Sequence, residues 1–175
     1  MSYASAKEID LDKVPIIDIT SLRDGSDPKR IAKELYQAST GLGFIYIKGH
    51  GIPENKINSL RNDGLKFFRS KQELKKEISV SAQHRGWLGY GGAKMKDDAK
   101  PDLKESFIWG FEDERQDIED HPVRGPNQWP SFIPSLQNNA LSYFHEADIL
   151  AKTLLKGFAL GLNLKENFLF NIWCP

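Results

Sequence analysis

The run Gly43-Phe44-Ile45-Tyr46-Ile47-Lys48-Gly49-His50-Gly51-Ile52-Pro53 constrains the fold more than any other stretch of this chain. Phe44 to Ile47 is an unbroken aromatic and β-branched series, which predicts a strand buried on both faces. The glycines that flank His50 predict a turn, because glycine reaches backbone angles that a Cβ forbids. Pro53 then opens a helix at little cost, since the first N–H groups of a helix have no partner in any case. Upstream, Val14 to Ile19 reads as a short strand with Pro15 at its start. Ser21 to Asp27 reads as a turn, and Asp27-Pro28 supplies an N-cap followed by proline at the first helical position. Ile31, Leu35, Ala38 and Leu42 then recur at helical spacing until Gly41 and Gly43. Strand, helix and strand in this order predict a crossover unit with both strands in one sheet.

The remainder alternates helices with long irregular segments. Pro53 to Arg69 is a second helix, with Ile57, Leu60, Gly64, Leu65, Phe67 and Phe68 towards its buried side. Ser70 with Glu73 forms a capping box that would start a short third helix. Ser79 to Lys100 is rich in glycine, serine and charge, and reads as a long loop around Arg85-Gly86-Trp87-Leu88-Gly89-Tyr90-Gly91-Gly92. That loop is either a flexible connection or a surface facing a substrate. Glu105 to Phe111 is a strand, Asp113 to Pro130 is turn-rich, and Pro134 to Leu162 is the longest helix. Asn163 to Trp173 is a last helix.

A chain of 175 residues with 39% hydrophobic content can bury a core, and one globular domain over residues 1–175 is expected. The 24 basic and 24 acidic residues balance, which argues against non-specific nucleic-acid or anionic-membrane binding. No apolar run reaches the roughly 18 residues of a membrane span. Residues 1–13 lack the basic and apolar regions of a signal peptide. The single Cys174 excludes an internal disulfide framework and a multi-cysteine zinc site. A cytoplasmic protein without nucleic-acid or membrane partners is expected.

Few residues offer chemistry. None of His50, His84, His121 and His145 has a carboxylate two residues on, and there is no His-Glu-x-x-His. His145 and Asp148 could share a helix face as metal ligands or as a plain polar pair. His50 could be a ligand or a hydrogen-bonding brace of its turn. No Gly-x-Ser-x-Gly elbow is present, and the glycines at 86, 89, 91 and 92 match no phosphate-binding fingerprint. Lys104 between Asp102 and Glu105 reads as a solvated ion pair. Arg85 is the better candidate for a bidentate contact to a substrate carboxylate.

In order along the chain stand Val14-Pro15-Ile16-Ile17-Asp18-Ile19, the Gly43 to Pro53 run, Phe67-Phe68, Glu73-Leu74-Lys75 and Arg85-Gly86-Trp87. Lys104-Glu105-Ser106-Phe107, Gly125 to Pro130 and Ala159-Leu160-Gly161-Leu162 follow. This series resembles the N-terminal region of the iron(II)/2-oxoglutarate-dependent dioxygenase superfamily, in its isopenicillin N synthase-like branch. One departure is Lys48-Gly49 before His50, where the family commonly carries Asn.

The resemblance implies an α+β fold with helices packed on a few strands. This would be the N-terminal portion of a double-stranded β-helix (jelly-roll) oxygenase whose main barrel is missing from the chain. The apolar stretch Phe168 to Trp173 beside the terminus agrees with truncation. The family's His-x-Asp, distal His and Arg-x-Ser belong to that barrel, so no catalytic residue and no metal ligand is expected here. Fe(II) and 2-oxoglutarate are implied for the full-length parent and none is bound by this chain. By resemblance, Arg85, Trp87 and Tyr90, with Lys104 and Phe107, are substrate-binding candidates for the parent's small-molecule substrate. Open strand edges and apolar surface predict self-association. The alternatives are a free-standing binding or assembly module of the same fold, and a metal site built around His145 and Asp148.

Overall fold

The turn after the second strand folds as its glycines require. In the computed structural model, which describes residues 13–93, 100, 102–112 and 123–173, Gly49 and Gly51 take φ of +69° and +80°. L side chains rarely adopt such angles. The guanidinium of Arg23 lies where a Cβ on Gly51 would point, and its Nη1 donates to the Gly49 carbonyl at 2.9 Å. The Ile52 N–H donates to His50 Nδ1 at 3.0 Å. His50 therefore braces the turn that carries it.

Two compact units make up the chain, one running to Ile52 and resuming at Glu146, the other spanning Pro53–His145. The first contains β1 (Ile16–Asp18), α1 (Thr20–Arg23), α2 (Pro28–Thr40) and β2 (Tyr46–Lys48). β1 and β2 pair in parallel with Ile17 opposite Ile47, so the crossover forms as expected. Asp27 caps α2 by accepting from the Arg30 N–H, with Pro28 at the first helical position. Ile17 and Ile19 point to one side, as the strand period of two dictates, and join Leu22, Ile31 and Leu35 in a core.

Two expectations are corrected in this unit. The second strand is not buried on both faces: Phe44 is 73% and Tyr46 58% exposed. With β1 alone beside it, only Ile45 and Ile47 alternate inward onto the core. Ser21 to Asp27 is not all turn, because Thr20–Arg23 forms one helical turn. Asp18 Oδ1 accepts from both the N–H and the hydroxyl of Thr20 at its start.

The second unit holds α3 (Glu54–Arg69), α4 (Gln72–Lys76), β3 (Gly86–Leu88) and β4 (Ser106–Ile108). Pro53 is the N-cap of α3 rather than its first residue. The capping box does not form. Ser70 instead donates its hydroxyl to the Phe67 carbonyl at 2.6 Å and closes α3, leaving Lys71 before α4 without a side-chain cap. Leu65 and Phe68 are exposed, leaving Phe67 as the apolar α3 residue that is fully buried. The glycine-rich segment is not wholly irregular: it supplies β3, antiparallel to β4 with Trp87 opposite Phe107. Phe67, Ile78, Trp87, Ile133 and Leu136 form the core, with Leu60, Phe107, Trp129 and Phe132 against it.

α5 (Ser135–Gly161) is the long helix, 27 residues, and its range crosses the boundary between the units. It stops because Asn163 takes a φ of +59°. The Leu164 N–H then donates to the Ala159 carbonyl at 2.9 Å and the Asn163 N–H to Leu160 at 3.0 Å. This is the Schellman pattern with Asn in glycine's usual place. α6 (Phe168–Trp173) follows and is shorter than the predicted Asn163–Trp173. The α+β expectation therefore holds. Among the described residues no helix is long and apolar enough to cross a membrane. Cys174, His121 and most of the Asp113–Pro130 stretch lie outside the described residues.

Within the second unit α3 and α5 are tied by one carboxylate. Asp63 is 3% exposed, accepts from Asn139 Nδ2 at 2.7 Å and from Lys66 Nζ at 3.2 Å. Burial pushes its carboxyl up, but hydrogen bonds from Ser135, Asn139 and Lys66, with the Lys66 charge, outweigh that and hold it below 3.8. A depressed carboxylate contributes stability that is complete above the unfolded value and is lost as pH falls through the folded one. Thermal unfolding should therefore show a midpoint that Asp63 does not change between about pH 5 and 7 and a decline below 3.8 to which Asp63 contributes. Asp63→Ala should lose about 1–3 kcal/mol at neutral pH and show a shallower acid decline. An unchanged acid limb would contradict this role.

Candidate functional site

A lysine that reads as a solvated helix residue organises the second unit. Lys75 and Glu105 meet at 2.7 Å with side chains only 7% and 12% exposed. The Trp87 indole N–H donates to the same Glu105 Oε2 at 2.7 Å, and Lys75 also donates to the Phe68 carbonyl at 3.1 Å. The ammonium stands 5.3 Å from the Trp87 ring centroid. A buried ion pair is weak evidence for stability, yet removing one partner is costly because the other is left uncompensated. Its consequence here is geometric: one oxygen joins α4 to β3.

Beside this node the aromatic rings border a half-open cavity of about 210 Å³ lined by Leu60, Gly64, Phe67, Phe68, Phe107, Trp109 and Leu136. Phe107 and Trp109 stand two residues apart, so the strand period puts them on one side, their rings stacked at 5.9 Å. Phe107 also packs on Phe67 at 4.9 Å. No side chain in the lining carries a charge. The Trp109 indole nitrogen is buried and has no hydrogen-bond partner.

The five residues singled out in the sequence are dispersed around this arrangement. Phe107 lines the cavity, while Trp87, 5% exposed, belongs to the core with its N–H committed to Glu105. Arg85 Nη1 donates to the carbonyl of His84 at 3.2 Å, and its Nε is buried without a partner. The guanidinium lies over Gly110, where an added Cβ would meet Nη2 at 2.6 Å. Tyr90 is exposed. Lys104 forms an exposed pair with Asp102 at 2.9 Å, whereas Glu105 turns inward to Lys75. The segment after β4 is held by Asn127, which accepts from the Gly110 N–H and donates to the Gly110 carbonyl, both at 2.9 Å.

Sequence reasoning passed over Trp109, although alternation along the Glu105 to Phe111 strand pairs it with Phe107. Lys75 had no such signal, because a lysine next to Lys76 on a short helix reads as solvent-facing. Of the other metal candidate, Asp148 is ion-paired with Lys152 at 2.6 Å. Among the described residues no three His, Cys, Asp or Glu side chains come together as a ligand set.

Comparison with known proteins agrees with this architecture. The family described as "non-haem dioxygenase in morphine synthesis N-terminal" matches residues 14–132. The 1-aminocyclopropane-1-carboxylate oxidase of Dictyostelium discoideum is 28% identical over 172 residues, covering 93% of this chain and 46% of the oxidase. A homoarginine-6-hydroxylase of Glycine max is 31% identical over 171 residues, covering 90% and 51%. Among solved structures, a full-length Neurospora crassa protein in complex with alpha-KG superposes with a TM-score of 0.74 at 25% identity, covering 91% of this chain and 51% of that protein. The chain spans about half the length of the curated relatives it matches. Taken with the parallel β1–α2–β2 crossover and the aromatic second unit, the match over residues 14–132 shows that the chain belongs to the N-terminal family of the non-haem dioxygenases.

Proposed function

We propose that this chain is the N-terminal, substrate-side portion of a non-haem Fe(II)/2-oxoglutarate-dependent oxidoreductase. The observation that carries the reading is the family match over residues 14–132, joined to relatives that are matched over about half their length. Iron and 2-oxoglutarate would be held by a jelly-roll barrel outside this sequence, since the described residues assemble no ligand set for a metal. No step of the oxidation is assigned to the residues present, and the chain alone is inactive in this account.

What the chain contributes is a surface for the substrate. Phe107 gives that surface an apolar wall, and Arg85 is its guanidinium for a substrate carboxylate. Trp87 acts from behind, by fixing Glu105. Tyr90 and Lys104 would touch only a ligand that extends past the cavity. The relatives are named for chemically different substrates, so none is transferred to this chain. Balanced charge supports the absence of a nucleic-acid partner. The single cysteine leaves no internal disulfide to favour an oxidising compartment, and the proposal places the protein in the cytoplasm.

The exposed side chains of Ile16, Phe44 and Tyr46, on a sheet of two strands, support self-association, most simply as a symmetric dimer. Light scattering should show the dimer, and Phe44→Glu should shift it to monomer. A clean monomer at high concentration would contradict the proposal. The reading as a whole is tested by the coding sequence after the Pro175 codon. Continuation into His-x-Asp and a distal His supports it; an immediate stop codon in an intact transcript overturns it and favours a free-standing module.

A further inference from the structure

Gly64 sits inside α3, a 16-residue helix, where glycine costs roughly 0.5–1 kcal/mol relative to alanine. Glycines in helices are usually explained by a neighbour that a Cβ would strike. Gly157 and Gly161 of α5 are of that kind: an added Cβ would come within 2.8 Å of Leu22 and Leu35 in the first case, and of the Ala32 carbonyl in the second. Gly64 is not. A Cβ built there meets nothing within 4 Å, and the space it would enter belongs to the aromatic cavity, which Gly64 lines. The helix forgoes stability at this position, and what it obtains is open volume.

We propose that this cavity is a binding site for a neutral, planar one- or two-ring group, and that Gly64 keeps it open. Three features set the ligand class. An apolar cavity of about 150 Å³ accepts benzene, so about 210 Å³ has room for a larger ring system. Phe67, Phe107 and Trp109 offer ring faces and edges, to which a planar group stacks. The lining holds no charge to compensate a buried ammonium or carboxylate. The site stands on this geometry; that its ligand is the substrate rests on the substrate-side reading above.

The test uses the 175-residue chain with quinoline, naphthalene and, as a charged control, benzylammonium, followed by the nitrogen-15 indole resonances of Trp109 and Trp87. Quinoline should shift Trp109 saturably and leave Trp87 nearly unmoved. Naphthalene should bind about as well as quinoline, because the walls are almost wholly apolar. Benzylammonium should not bind. Gly64→Leu should abolish binding with the unfolding midpoint unchanged or raised, and the milder Gly64→Ala should raise the midpoint and weaken binding. Absence of a saturable shift, or undiminished binding in both Gly64 variants, overturns the proposal. A negative titration removes the site and leaves the family reading intact, whereas a stop codon after Pro175 removes the reading and leaves the titration standing.

Discussion

A single carboxylate oxygen joins α4 to the β3–β4 pair in the second unit. Glu105 Oε2 receives both the Lys75 ammonium and the Trp87 indole N–H at 2.7 Å, in surroundings nearly closed to water. Left there unpaired, the Lys75 ammonium would cost several kcal/mol and the neutral Trp87 N–H about 1–3 kcal/mol, which favours placing the three side chains together. That pairing sets the relation of α4 to β3. With Trp87 opposite Phe107 in the β3–β4 register, it also places the aromatic wall of the cavity. The node is thus a positional constraint first and a source of stability only second.

The two units use different means. In the first, alternation and helical period supply an aliphatic core of Ile17, Ile19, Leu22, Ile31 and Leu35, and polar contacts gather at the turn around Arg23, Gly49 and His50. In the second, polar groups are taken inside: Asp63 under Asn139 and Lys66, Lys75 under Trp87. Interiors that bury charge need each group satisfied, and these are. Among the described residues the orphans are Arg85 Nε and Trp109 Nε1, both in the segments that the functional reading assigns to recognition. An unpaired buried donor is a cost to the fold.

Local rules made the first unit legible. Asp27-Pro28, the paired glycines and the apolar spacing of α2 each act over a few residues, and the structure has them where they are expected. What could not be read depends on distant partners. Whether Phe44 is covered is decided by how many strands flank β2, and not by Phe44. Ser70 satisfied a capping pattern yet closed the preceding helix, because one hydroxyl can serve either end. Lys75 is buried only because Glu105, thirty residues on, turns inward. Of the candidate site, Phe107 was legible from its strand, and Trp109 could have been. Gly64 was visible only as a member of a helix face, since nothing in one sequence tells whether a glycine avoids a clash or keeps a space.

The central claim is that this chain carries recognition and not the metal chemistry of its family. Anaerobic calorimetric titration of Fe(II) into the chain, with 2-oxoglutarate present, tests it most directly. The account predicts no stoichiometric binding, because among the described residues no three His, Cys, Asp or Glu side chains converge. Tight one-to-one binding of Fe(II) would contradict it.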